Sequence, residues 1–181
     1  MMRIGVVSDT HGHIENLKEA LKALSEMKIE VFCHLGDDYD DMRDVNVPSE
    51  IQVIQVPGVF SEYYKDPNIP NRLIMQWEGK SFLLTHTRTS HKNDLKEDPD
   101  PEELLEKGKV NAVLYGHTHI PAIIMEGKSF LFNPGHLKDG DKKGFPPTFG
   151  LISVENDHIT AQIFELKTQK ILYQAKLIFI A

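Results

Sequence analysis

Two histidines stand at i, i+2 in Val110-Asn-Ala-Val-Leu-Tyr-Gly-His-Thr-His119, just after an apolar run, Val110 to Tyr115, that reads as a buried strand. In extended backbone, residues i and i+2 face one side, so His117 and His119 are expected to point two imidazoles into one space. That arrangement suits a metal ion. Alone, such a pair is ordinary in a polar loop. Near the head of the chain, however, Ser8-Asp-Thr-His11 repeats it: an apolar strand, then Asp9 and His11 at i, i+2.

Other expected strands end the same way. Asp37 follows the second, and His86 follows the strand that closes at Thr85. Ligand crevices of open α/β sheets lie outside the carboxyl ends of the strands, so Asp9, His11, Asp37, His86, His117 and His119 are expected to converge there. The donor set mixes nitrogen and oxygen without thiolate. It suits Mn²⁺, Fe²⁺, Co²⁺, Ni²⁺ or Zn²⁺ better than Ca²⁺ or a structural zinc. Six side chains exceed the needs of one tetrahedral site and fit two ions sharing a bridging carboxylate. Two metals about 3.5–4 Å apart generate hydroxide and clamp the oxygens of an in-line phosphoryl displacement.

The elements that must position these residues read in order. Arg3 to Ser8 is a strand. Ile14, Leu17, Leu21 and Leu24 keep helical spacing, and Glu30 to Leu35 is a second strand, completing a βαβ unit. Asp38 to Pro48 is acidic and irregular, Ile51 to Val56 is a strand, and Val59 to Pro70 is a loop. Arg72 to Trp77 and Lys80 to Thr85 flank a Glu78-Gly79 turn. A polar excursion, Thr87 to Asp100, begins directly after His86 and is placed to cover the site. Asp100 and Pro101 open a short helix, Glu102 to Lys107. Pro121 to Glu126 and Ser129 to Phe132 form a hairpin around Gly127, Asn133-Pro-Gly135 is a turn, and Lys138 to Pro147 is a charged loop. Thr148 to Val154 and His158 to Glu165 form another hairpin, and the tail from Ile171 to Ile180 is apolar and β-prone. One βαβ unit followed by hairpins predicts an α/β fold: two mixed sheets packed face to face with helices outside, in a single domain spanning 1–181.

Composition narrows the function classes. With 40% hydrophobic and 26% charged residues the chain is neither disordered nor membranous. Its net charge of −7 argues against an extended nucleic-acid surface. Cys33, the only cysteine, lies in an apolar strand and reads as core. The chain enters a strand at once, with no signal peptide and no run long enough to span a bilayer, so a cytoplasmic location is expected. A homo-oligomer is left open, the apolar tail being a candidate edge strand or dimer contact.

Asp9-x-His11, Gly36-Asp37, a lone His86 and Gly116-His-x-His119, in this order, resemble the calcineurin-like metallophosphoesterase superfamily. Ser8-Asp-Thr-His-Gly12, Leu84-Thr-His86, Tyr115-Gly-His-Thr-His119 and Asn133-Pro-Gly135 are similar to its small archaeal and bacterial phosphodiesterase branch. The resemblance implies an αββα sandwich that hydrolyses a small phosphoester with a metal-bound hydroxide at a two-metal site. It also implies that Asp9, His11, Asp37 and His119 hold one divalent metal, manganese foremost. Asp37 would bridge to a second metal, also bound by His86 and His117. Catalysis would then centre on Asp37, His86 and His117.

One motif departs. Where the superfamily has Gly-Asn followed by His or Cys and an acid, this chain reads Gly58-Val59-Phe60-Ser61-Glu62. Valine cannot ligate, so the second metal is expected to bind more weakly, with Glu62 or a backbone carbonyl as candidate substitutes. Phe60 removes a transition-state histidine. Arg88 follows His86 in place of the family's Gly-His and is a candidate phosphate contact. The Gly-x-Phe-x-Glu pattern also resembles the retromer subunit Vps29, a protein-binding scaffold on the same fold. The rival expectation is therefore a non-catalytic protein- or nucleotide-binding module. Of the other histidines, His34 reads as core or sheet face, His13 and His136 as surface first and as supports beside the ligands second, and His91 as part of the polar excursion, with a place over the site as its lesser alternative.

Overall fold

Ile4 and Val6 of the first strand, β1 (Met2–Val7), are buried on one face, and Val7 on the other. Gly5 shares the Val7 face. A Cβ there would meet Leu24 Cδ1 at 2.8 Å, so the missing side chain lets the first helix, α1 (Ile14–Glu26), lie close against the sheet. Leu17, Ala20, Leu21 and Leu24 of α1 pack there with Phe32, Phe149 and Leu151. The structure, a computed structural model, describes residues 1–126 and 129–178.

β2 (Val31–His34) and β3 (Gln52–Gln55) continue the first sheet in parallel with β1. β4 (Arg72–Trp77) and β5 (Lys80–Thr85) open the second sheet as an antiparallel pair. The short helix α2 (Pro101–Glu106) then leads to β6 (Ala112–Leu114), parallel to β5. β7 (Ala122–Glu126) and β8 (Ser129–Asn133) complete that sheet. β9 (Thr148–Val154), β10 (His158–Glu165) and β11 (Ile171–Ile178) return to the first. The strand orders are β11-β10-β9-β1-β2-β3 and β4-β5-β6-β8-β7.

The main core lies between the sheets. Ile4, Val6, Val31 and Cys33 face Phe82, Leu84, Leu114 and Phe130 in one buried cluster. Outside the second sheet, Leu83, Val113 and Leu131 pack with Leu104 and Leu105 of the α2 segment. Two mixed sheets with helices on their outer faces are the architecture the sequence predicts.

Local details agree or refine. Asp100 caps α2 as expected: its Oδ1 accepts from the N–H groups of Glu102 at 2.9 Å and Glu103 at 3.1 Å. The acidic stretch after Asp37 holds a short 3-10 helix, Tyr39–Asp44, and the loop after Val59 holds another, Glu62–Lys65. The apolar tail forms β11, the edge strand beside β10, and exposes Ile171, Leu172, Tyr173 and Ile178. The turn expected at Gly127 and the last residues of the tail lie outside the described residues. No helix among the described residues is long and apolar enough to cross a membrane.

Candidate metal centre

β1, β2, β5 and β6 run parallel within their sheets, two in each, and their carboxyl ends meet at one edge of the sandwich. Asp9 and His11 follow β1, Asp37 follows β2, His86 follows β5, and His117 and His119 follow β6. Extended backbone does not produce the convergence, contrary to the expectation from i, i+2 spacing. Asp9, His11, Asp37, His117 and His119 all have positive φ, between 50° and 65°, and Asp38 lies at 41°. Only three other described non-glycine residues, Lys28, Glu78 and Gln169, share that region. Each such residue costs of order 1–3 kcal/mol, and such strain concentrates at functional sites. Here the loops are pinned within the first sheet, where the Asp9 N–H donates to Gly36 O at 3.0 Å, and across the sheets, where the His117 N–H donates to Asp9 Oδ2 at 2.9 Å.

The side chains form two groups that share Asp37. In the first, His119 Nε2 lies 3.3 Å from Asp9 Oδ1 and 3.0 Å from His11 Nε2, which lies 3.3 Å from Asp37 Oδ2. Asp9, His11, Asp37 and His119 each offer one ligand atom, all within 4.8 Å of one another. In the second, His86 Nε2 lies 3.3 Å from Asp37 Oδ1 and 3.3 Å from His117 Nδ1. The two oxygens of Asp37 thus face opposite groups. His86 is fully buried, and its Nδ1 donates to Leu35 O at 2.7 Å, which leaves the Nε2 lone pair directed at the cluster.

Packing around the cluster is tight. A Cβ on Gly58 would overlap Asp37, and one on Gly116 would overlap Ser8 and Asp9. Ser8 donates to Asp9 Oδ2 at 2.6 Å. His34 is a core residue, as expected; burial pushes it down to about 4, and its ring meets the Thr10 hydroxyl between Asp9 and His11.

Charge is balanced unevenly. The Asp9 carboxylate, and behind it Asp141, raises His119 to about 9. Burial works against ionising Asp9, yet His119, His86 and Ser8 hold it below the ordinary carboxylate value. Burial prevails at Asp37 and raises it, with His86 opposing. His117 is lowered by burial and by the neighbouring His86. A nitrogen and carboxylate set of this kind matches a divalent cation in donor type and spacing.

Sequence reasoning missed one neighbour of His119 and ranked another first as a surface residue. Asp141, in the charged loop, accepts at 2.6 Å from His119 Nδ1. His136, read first as surface and second as a support beside the ligands, is fully buried; its ring centroid lies 5.3 Å from that of His119. Neither ring nitrogen of His136 has a hydrogen-bond partner among the described residues. His13 stays partly exposed beside Asp139. Glu62 is not a substitute for the ligand missing at Val59: it is exposed and paired with Lys65 at 2.8 Å. The Val59 carbonyl accepts from Asn93 Nδ2 at 2.8 Å. Phe60 is 68% exposed, with its ring 6.1 Å from that of His117. Arg88 is exposed on the wall of a cleft beside His117, with Glu126 at 3.9 Å.

The model of the calcineurin-like phosphoesterase superfamily domain matches residues 2–157, which includes every residue of both groups. The chain belongs to this superfamily. Membership assigns this calcineurin-like protein to the phosphoester hydrolases, a superfamily that binds divalent metals. It is 32% identical over 193 residues to phosphodiesterase YfcE of Escherichia coli (strain K12), covering 96% of this chain and 97% of the relative. It is 25% identical over 180 residues to phosphodiesterase MJ0936 of Methanocaldococcus jannaschii, covering 91% and 100%. Among solved structures, Vps29 of Chaetomium thermophilum superposes with a TM-score of 0.70 at 16% identity, covering 100% of this chain and 97% of that one. That likeness concerns the fold alone.

Proposed function

We propose that the protein is a metal-dependent phosphodiesterase that hydrolyses a small phosphoester at a two-metal site. The observation that carries this reading is Asp37, with Oδ2 3.3 Å from His11 Nε2 and Oδ1 3.3 Å from His86 Nε2. Asp9, His11, Asp37 and His119 would hold the first ion. Asp37, His86 and His117 would hold the second, more weakly, because Val59 offers no side-chain ligand. Manganese is the first candidate, with iron, cobalt, nickel and zinc as alternatives. When bound, the ions activate water and neutralise phosphate charge. The chain's own residues fix the ligand geometry, and the buried Asp9 carboxylate keeps His119 in place. Phosphodiesterase is also the name given to YfcE and MJ0936.

The test is hydrolysis of bis-p-nitrophenyl phosphate and p-nitrophenyl phosphate by metal-stripped protein reloaded with Mn²⁺, beside an Asp37→Asn control. Diester cleavage by the wild type alone supports the reading. Absence of turnover at every metal concentration rejects it. Val59 and Phe60 favour the second reading, a Vps29-like binding module in which the metal cluster holds the loops without turnover. Metal binding without hydrolysis would select it.

A further inference from the structure

The space beside His117 divides into two regions of opposite character. On one side, a groove running from His11 and Asp37 past Phe60 is lined by Asp38, Asp40 and Asp41. On the other, a cleft of about 170 Å³ is lined by Arg88, Ser90, His91, His117 and Thr118 among others, and no carboxylate among the described residues lines it. The carboxylates of the first suit cations, and the donors of the second match anionic phosphoryl oxygens.

His91 is built into that cleft. Its ring lies edge-on to Phe60 with centroids 5.6 Å apart, and 6.4 Å from the ring of His117. The Asn93 N–H donates to His91 Nδ1 at 3.2 Å, which assigns the ring proton to Nε2. The His91 N–H donates to Asp94 Oδ2 at 2.7 Å. Asp94 also takes hydrogen bonds from the Tyr64 hydroxyl at 2.6 Å and from the buried Arg72 guanidinium at 2.9 Å. Arg72 in turn reaches Thr85 Oγ1, next to His86, at 3.2 Å. Asn93 Nδ2 ties the same loop to Val59 O. The polar excursion is therefore fastened to both the divergent Gly58-Val59-Phe60 turn and the end of β5, with one imidazole held over the cleft.

We propose that His91 is the hydrogen-bond donor to a phosphoryl oxygen of the substrate, supplying from the 87–100 loop what Phe60 cannot supply from its own position. This rests on the phosphoesterase reading. In the hydrolysis, the water oxygen bonds to phosphorus and the phosphorus–alcohol oxygen bond breaks. The attacking water gives up one proton to solvent, and the electron pair of the broken bond leaves with the alcohol oxygen, which takes up a proton from solvent. His91 keeps its own proton throughout and stabilises the charge gathering on the phosphoryl oxygens.

The test compares wild type with His91→Ala, His91→Phe and His91→Gln in the Mn²⁺-loaded protein. Turnover of bis-p-nitrophenyl phosphate is read beside calorimetric affinity for Mn²⁺ and for inorganic phosphate. The alanine and phenylalanine variants should lose roughly a hundredfold in kcat and bind phosphate more weakly, with Mn²⁺ affinity unchanged. The glutamine variant, which retains an N–H donor, should recover part of both. Wild-type kcat and phosphate affinity in His91→Ala would overturn the proposal, as would full activity in His91→Phe or loss of Mn²⁺ in parallel with activity. If the wild type cleaves no ester, the phosphodiesterase reading fails. Phosphate affinity then still decides the role of His91: a wild type and His91→Ala that bind phosphate equally overturn it.

Discussion

The Asp141 carboxylate accepts from His119 Nδ1 at 2.6 Å, while Nε2 of the same ring stands 3.3 Å from Asp9 Oδ1. One carboxylate thus sets the tautomer and tilt of an imidazole whose other nitrogen faces the cluster. Partners of this kind orient metal-binding histidines, and their loss lowers metal affinity or activity roughly 10–100-fold. Asp141→Asn should fall in that range for Mn²⁺ affinity measured by calorimetry. Unchanged affinity would mean that the ring is held by its packing against His136 instead.

Removing divalent metal should lower thermal stability. A ligand that binds only the folded state at 100 times its Kd adds about 2.7 kcal/mol per site. For a chain of this length that is a shift in Tm of roughly 5–10 °C. Melting curves with EDTA and with a Mn²⁺ titration measure it. Asp37→Asn should flatten the dependence, because Asp37 belongs to both groups.

Gly116→Ala should disable the site without replacing a candidate ligand. The added Cβ would run into Ser8 and Asp9, which are already hydrogen-bonded to each other. Relieving the overlap must displace Asp9. Expected effects are a stability loss of about 1–3 kcal/mol and a larger loss of metal affinity. Denaturant unfolding and calorimetry on the same variant separate the two, and wild-type metal affinity would contradict the expectation.

The loop that carries His91 should loosen in acid. Burial works to raise the Asp94 carboxyl, but hydrogen bonds from Tyr64, the His91 N–H and Arg72 outweigh it, so Asp94 titrates below its ordinary 3.8. A depressed carboxyl stabilises the fold above its unfolded pKa, and the contribution is lost as pH falls through the lower folded value. Proteolysis within 87–100 should therefore accelerate only below about pH 4, taking 3.8 as the unfolded value. Asp94→Ala leaves the buried Arg72 without its carboxylate and should cost about 3 kcal/mol at neutral pH, read from denaturant midpoints. Equal stability of variant and wild type would show that Thr85 Oγ1, Pro99 O and Thr89 O satisfy Arg72 without the carboxylate.

Much of the molecule was legible in the chain because its signals are local. Apolar runs of strand length mark β1, β2, β5 and β6, and each is followed within three residues by a carboxylate or imidazole. Parallel strands end at the same edge, so naming the strand ends named the residues that the fold gathers in the candidate site. The departure at Val59 and Phe60 was equally plain, since residue type alone rules out ligation there. Tertiary structure decided the rest. Left-handed backbone at Asp9, His11, Asp37, His117 and His119, not extended spacing, aims the side chains, and that conformation is held by contacts between strands of different sheets. Asp141 meets His119 across 22 residues, and Asn93 meets Val59 across 34. Such partners share no period or motif. Their pairing arises only when loops from distant segments are folded over one edge of the sandwich, where burial makes each unsatisfied polar group costly.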